Sequence, residues 1–177
     1  ACRTGECDCP AFARLPPTRR PILRAVDART PTLDVGALVT GAEAMGVALP
    51  ASAIAAFERY AAAMVAWNER LNLTRVADPE GIARRHVLDS LAVLAALPTA
   101  DERVGALPTG DVSSGAVRCI DVGAGAGLPG IPLKIARPAW SLALVESVGK
   151  KAAFLAHAVE VLGLERTVVL ALRAEDA

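Results

Sequence analysis

The segment Val117-Arg118-Cys119-Ile120-Asp121-Val122 runs directly into Gly123-Ala124-Gly125-Ala126-Gly127, and a helical stretch over about 131–137 follows. A β-run that ends in glycines and reopens as a helix is the nucleotide-binding turn of open α/β sheets. Glycine reaches positive φ without steric cost and lets the backbone approach a ligand where a Cβ would collide. The following helix offers unpaired backbone N–H groups at its positive end. Pro129 and Pro132 suit its first turn, where a missing N–H costs little. The rhythm then repeats: a strand over 141–146, a helix over 150–162 stopped by Gly163, and a strand over 167–170. This alternation predicts a parallel, right-handed α/β sheet.

The front half has a different period. Asp34 is placed to cap a short helix that reaches about Met45 and stops at Gly46. Ser52 is the expected cap of a helix over 52–71, whose Phe57, Tyr60, Met64, Trp67 and Leu71 share one face and predict core. Asn72-Leu73-Thr74 ends it. Asp78-Pro79-Glu80 opens another helix to about residue 97, with Ile82, Val87, Leu91 and Leu94 expected inside. Residues 1–32, rich in Pro, Arg, Cys and Thr, predict a disordered extension, and 98–116 predict a linker or loop. The chain therefore divides into a helical region over 33–97 and an α/β portion over 117–177.

With 53% apolar and 21% charged residues, the composition excludes a disordered chain. The formal net charge is zero, so any nucleic-acid contact must come from a local basic patch. No apolar run reaches the roughly 18–20 residues that span a bilayer, and no signal pattern opens the chain. A cytoplasmic location without a membrane partner is expected. Cys2, Cys7 and Cys9 cluster without a nearby His and do not match a zinc spacing, so they predict unpaired thiols and no metal site. Cys119 predicts a small core residue.

Two cofactors compete for the glycine loop. A dinucleotide fingerprint is G-x-G-x-x-G, whereas Gly123, Gly125 and Gly127 are spaced G-x-G-x-G, with Leu128 at the third glycine's place. That weakens NAD. S-adenosylmethionine carries no pyrophosphate, and its cationic amino-acid tail suits a loop that follows an acidic strand end. Glu146 stands 25 residues after Asp121 at the end of the next strand, where a carboxylate can accept ribose hydroxyls. That spacing serves either nucleoside.

Four further blocks accompany the loop. Trp67-Asn68-Glu69-Arg70-Leu71-Asn72-Leu73-Thr74, Arg85-His86-Val87-Leu88-Asp89-Ser90 and Ile120 to Leu133 occur in order, followed by Glu146-Ser147-Val148-Gly149-Lys150-Lys151 and Arg173-Ala174-Glu175. Together they resemble the bacterial 16S rRNA guanine-N7 methyltransferases, the glucose-inhibited division protein B family. The resemblance runs from about Leu33 onward, interrupted over 98–117. It implies a class I S-adenosylmethionine-dependent methyltransferase fold, Rossmann-like, preceded by helices. It implies that Gly123 and Leu128 are cofactor-loop positions, that Ala174 and Glu175 flank adenine, and that Asp121, Gly125 and Glu146 stand beside them. The implied partner is 16S rRNA or the small ribosomal subunit, and a monomer is expected.

No catalytic side chain is expected, because guanine N7 already presents a lone pair. His86, one turn before Asp89, reads either as a hydrogen-bonded structural histidine or as an RNA contact. Asn72 and Thr74 carry the same two readings. Arg84, Arg85, Lys150 and Lys151 read either as a phosphate-binding patch or as solvated surface. The family's sheet has seven strands and only the first three fall in this sequence. An exposed sheet edge and little activity of the chain alone are therefore expected. A non-enzymatic fragment or helical interaction module, and an NAD-linked oxidoreductase, are the alternatives.

Overall fold

A computed structural model describes residues 32–96 and 117–176. The expected extension, with Cys2, Cys7 and Cys9, and the expected linker lie outside the described residues, Thr32 aside. Helix α1 (Val35–Ala44) starts where Asp34 accepts a hydrogen bond from the Ala37 N–H at 2.9 Å, as the capping pattern predicts. Helix α2 (Ala51–Leu71) starts one residue earlier than expected, and its cap is Pro50, not Ser52. Pro50 is extended, and its carbonyl accepts from the Ala53 and Ile54 N–H groups. Asn72 ends α2 in the left-handed conformation (φ 49°), which its short polar side chain tolerates better than a branched one.

The third helical stretch is not uniform. It comprises α3 (Pro79–Gly81), a π segment (Ile82–Leu88) and α4 (Asp89–Ala96). Asp78 caps it by accepting from the Gly81 N–H at 2.6 Å. In the π segment the Asp89 N–H reaches back to the Arg84 carbonyl, five residues earlier, and the Ser90 hydroxyl donates to the His86 carbonyl at 2.5 Å. Nothing in the residue pattern announced this wider turn. Ile82, Val87 and Leu91 are fully buried as expected, while Leu94 is half-buried.

The sheet is parallel, in the order β1 (Arg118–Val122), β2 (Ser141–Val145), β3 (Thr167–Leu170). Helices α5 (Gly130–Ala136) and α6 (Gly149–Leu162) connect the strands, and α2 packs on both. Phe57, Tyr60 and Met64 of α2 join Ile131, Leu144, Phe154 and Leu155 in one core cluster. Each of these buried side chains contributes about 1.5–3 kcal/mol by leaving water. Trp67 meets Phe154 edge-on, with centroids 5.7 Å apart, and tilts over His157 at 5.4 Å. Its ring is a packing element, in keeping with the core reading of the α2 face.

Strand β1 departs from expectation. Cys119 is half-buried rather than core, and Arg118, Ile120 and Val122 alternate with it as exposed residues, Ile120 at 70% and Val122 at 58%. The cause is the face: Arg118, Ile120 and Val122 share one side of the sheet, whereas Cys119, with its neighbours Leu142 and Leu144, lies on the side that packs against the helices.

Candidate cofactor site

The carboxyl ends of the three strands gather the loops that the sequence marked. β1 pairs with β2 so that Val122 lies beside Val145, and the Gly123 and Ala124 N–H groups both donate to the Val145 carbonyl, at 2.8 and 3.1 Å. The chain then turns through Gly123 (φ 75°), Gly125 (φ 57°) and Gly127 (φ 87°). A Cβ at Gly123 would meet nothing within 4 Å, so this backbone faces open space on the ligand side. Gly127 faces inward: a Cβ there would stand 2.4 Å from Ile131 Cδ1 and 3.2 Å from Leu155 Cδ2.

Two carboxylates brace the loop. Glu146 is only 5% exposed, and its oxygens accept from the Gly125 N–H at 2.9 Å and the Val148 N–H at 2.8 Å. It thus fastens the glycine loop to the turn that begins α6. An ionised carboxylate has about four acceptor positions, so two bonds leave capacity for a ligand hydroxyl. Asp121 accepts from the Gly130 N–H at 2.9 Å, at the start of α5. Burial raises its carboxyl above the usual range, and the Gly130 N–H offsets part of that rise.

The sign for stability follows. A carboxyl raised in the folded state stabilises the fold most below its unfolded value, and that contribution is lost as pH rises through the folded value. Asp121→Asn retains an oxygen for the Gly130 N–H but carries no charge. The variant is expected to be more stable than the parent at neutral pH, with the difference vanishing in acid. Urea unfolding at the two pH values checks this, and an equal difference at both would contradict it.

A cleft of about 320 Å³ opens at the strand ends, lined among others by Val122, Gly123, Val145, Ser147, Ala174 and Glu175. Of the residues singled out in the sequence, Gly123, Ala174 and Glu175 therefore line one cavity. Gly125 and Glu146 are bonded to each other, and Leu128 is half-buried and packs against the core cluster. Asp121 instead lines a second space of about 290 Å³ along the β1 edge, with Lys134 and Trp140. The first cleft matches the rule that open α/β sheets bind ligands beyond the carboxyl ends of their strands.

Two contributors escaped the sequence reading. Tyr60, fully buried in the α2 face, donates its hydroxyl to the Ala126 carbonyl at 2.5 Å. Burial pushes its hydroxyl pKa far up, and the negative charge of Asp121 adds to that. A buried phenol amid alanines was the available signal, since such a hydroxyl needs an acceptor. Lys134, 3% exposed, spends its ammonium on the Pro138 and Trp140 carbonyls and holds the turn before β2. No sequence signal separated it from a surface lysine.

The candidate RNA residues fall into separate groups. Thr74 and His86 meet: His86 Nε2 lies 2.9 Å from Thr74 Oγ1 and 3.2 Å from the Val76 carbonyl. A carbonyl only accepts, so Nε2 carries the proton and shares it between both oxygens. Thr74 Oγ1 also accepts from the Val76 N–H, and its own N–H donates to Asn68 Oδ1. The partner of His86 is thus Thr74 rather than the expected Asp89. Asn72, exposed, is the helix cap. Arg84 forms an exposed pair with Glu80 at 2.9 Å, worth little in solvent. Arg85 and Lys150 are exposed and Lys151 is half-buried in the first turn of α6. A double-mutant cycle of Thr74→Val and His86→Ala is expected to give a coupling of about 1 kcal/mol in unfolding free energy. Additive losses would remove the bond from the account.

A parallel sheet with a glycine loop, a bracing carboxylate and a cleft at its strand ends defines a Rossmann-like nucleotide-binding fold. Comparison with known proteins is specific. A family model described as rRNA small subunit methyltransferase G matches residues 53–177. The chain is 49% identical over 138 residues to a Roseiflexus sp. (strain RS-1) protein named Ribosomal RNA small subunit methyltransferase G, covering 78% of this chain and 53% of that protein. Proteins of the same name are similar in Roseiflexus castenholzii (47% over 134 residues; 76% and 51% covered) and Myxococcus xanthus (39% over 138 residues; 78% and 56%). The chain belongs to the rRNA small subunit methyltransferase G family. It spans about half the length of the curated relatives it matches.

Proposed function

We propose that this chain carries the S-adenosylmethionine-binding part of an enzyme that methylates N7 of a guanine in 16S rRNA. The observation that supports it best is the open backbone at Gly123, facing a cleft walled by Ala174 and Glu175 in a chain of this family. Bound there, the cofactor supplies an electrophilic sulfonium methyl. Gly123 lets the loop backbone approach the ligand, with Gly125, Leu128 and Asp121 shaping the loop around it. Glu146 offers its remaining acceptor positions to ribose hydroxyls, and Ala174 and Glu175 flank the adenine.

Little acid–base work falls to the protein. Guanine N7 is unprotonated and holds its lone pair in the plane of the base, so the demand is for orientation rather than proton removal. The base must leave its stack to reach the site. Arg85, Lys150 and Lys151 supply positive charge for the RNA backbone, and Asn72, Thr74 and His86 shape the adjoining surface. The small ribosomal subunit is the proposed partner, met by a monomer in the cytoplasm.

Mass spectrometry of 16S rRNA nucleosides tests the activity at the level of the gene. Cells deleted for the gene encoding this chain are expected to lose one N7-methylguanosine. An unchanged 16S rRNA would contradict the proposal.

A further inference from the structure

The glycine loop has a structural weakness. Gly127 sits at positive φ, and glycine crosses to negative φ at little cost, so the orientation of the peptide between Ala126 and Gly127 depends on the bonds made by its two ends, the Gly127 N–H and the Ala126 carbonyl. The other loop groups are tied within the α/β portion. The Gly125 N–H goes to Glu146, the Gly127 N–H to the Ala124 carbonyl at 2.6 Å, and the Leu128 N–H to the same carbonyl at 3.2 Å. The Ala126 carbonyl is tied elsewhere, to the Tyr60 hydroxyl 66 residues earlier in α2. Both residues are buried, Tyr60 completely and Ala126 at 7% exposure.

From this geometry we infer that Tyr60 is a positioning residue for the cofactor loop, selecting one orientation of the Ala126–Gly127 peptide. The helical region is then part of the loop's construction and not only its packing support. The consequence for cofactor affinity rests on the function proposed above; the dependence of loop shape on Tyr60 does not.

Amide hydrogen exchange followed by NMR tests this on the full chain. Tyr60→Phe retains the ring and removes only the hydroxyl. The expected result is exchange at Gly125, Gly127 and Leu128 faster by about tenfold or more relative to Leu155 and Ala158 in α6. Phe57→Leu, a core change on the same helix face that removes no hydrogen bond to the loop, is expected to move both sets by one factor. An unchanged ratio between loop and α6 in Tyr60→Phe would overturn the inference.

Should Tyr60→Phe not fold, 3-fluorotyrosine incorporation alters only this site, because Tyr60 is the chain's one tyrosine. The more acidic phenol is a stronger donor and is expected to slow the loop amides relative to α6, and an unchanged ratio again overturns the inference. Titrating S-adenosylmethionine into the same samples separates the two claims. Loop exchange that depends on Tyr60 without any ligand response would retain the positioning role and remove the cofactor reading.

Discussion

Gly127→Val is expected to destabilise the fold by about 2–5 kcal/mol, seen as a lower urea midpoint with an unchanged slope. Two independent costs combine. Gly127 holds φ 87°, which an L side chain occupies only at about 1–2 kcal/mol. Its missing Cβ also leaves room that Ile131 fills, with Cδ1 at 2.4 Å and Cγ1 at 2.8 Å from where that atom would stand. Ile131 is fully buried against Leu144 and Leu155, so it cannot swing away without disturbing the core, which adds about 1–3 kcal/mol of overpacking. Gly127→Ala meets the same backbone strain with less bulk and is expected to fall between valine and the parent. A midpoint for Gly127→Val within error of the parent would contradict the loop geometry.

The second large effect belongs to Glu146. Glu146→Ala removes the acceptor of the part-buried Gly125 and Val148 N–H groups, at about 0.5–1.5 kcal/mol for each bond lost. Glu146→Gln separates charge from bonding. Its amide oxygen can serve one N–H, but its NH₂ then faces the other, setting donor against donor. Glutamine is therefore expected to recover only part of the alanine loss, and both variants are expected to lose the response of Gly123 to S-adenosylmethionine. Urea unfolding of the three proteins checks the first statement. A glutamine variant as stable as the parent would show that one of the two bonds does not form in solution.

The element boundaries were legible where local and global signals agree. Asp34, Asn72, Asp78 and Gly163 stand at helix ends for reasons internal to the backbone, and the apolar periods change where the chain changes from helix to strand. Gly123, Ala174 and Glu175 share a cleft because parallel strands deliver their following loops to one edge. What stayed hidden depends on tertiary partners. His86 lies in the π segment and bonds Thr74, and no periodicity encodes an extra residue in a turn. Glu146 read as a free carboxylate at a strand end, yet its first partners are backbone N–H groups of two loops. The tie from Tyr60 to Ala126 spans 66 residues, and the sequence offered only a phenol in need of an acceptor. The exposure of Ile120 and Val122 depends on which face of the sheet the helices cover, which alternation within the strand does not reveal.

The cofactor role of the glycine loop is the central claim, and an NMR titration of the labelled chain with S-adenosylmethionine and, separately, with NAD tests it most directly. S-adenosylmethionine is expected to shift the amides of Gly123, Ser147, Ala174 and Glu175 together, and at lower concentration than NAD. Resonances of the cleft that ignore S-adenosylmethionine, or that follow NAD at equal or lower concentration, would contradict it.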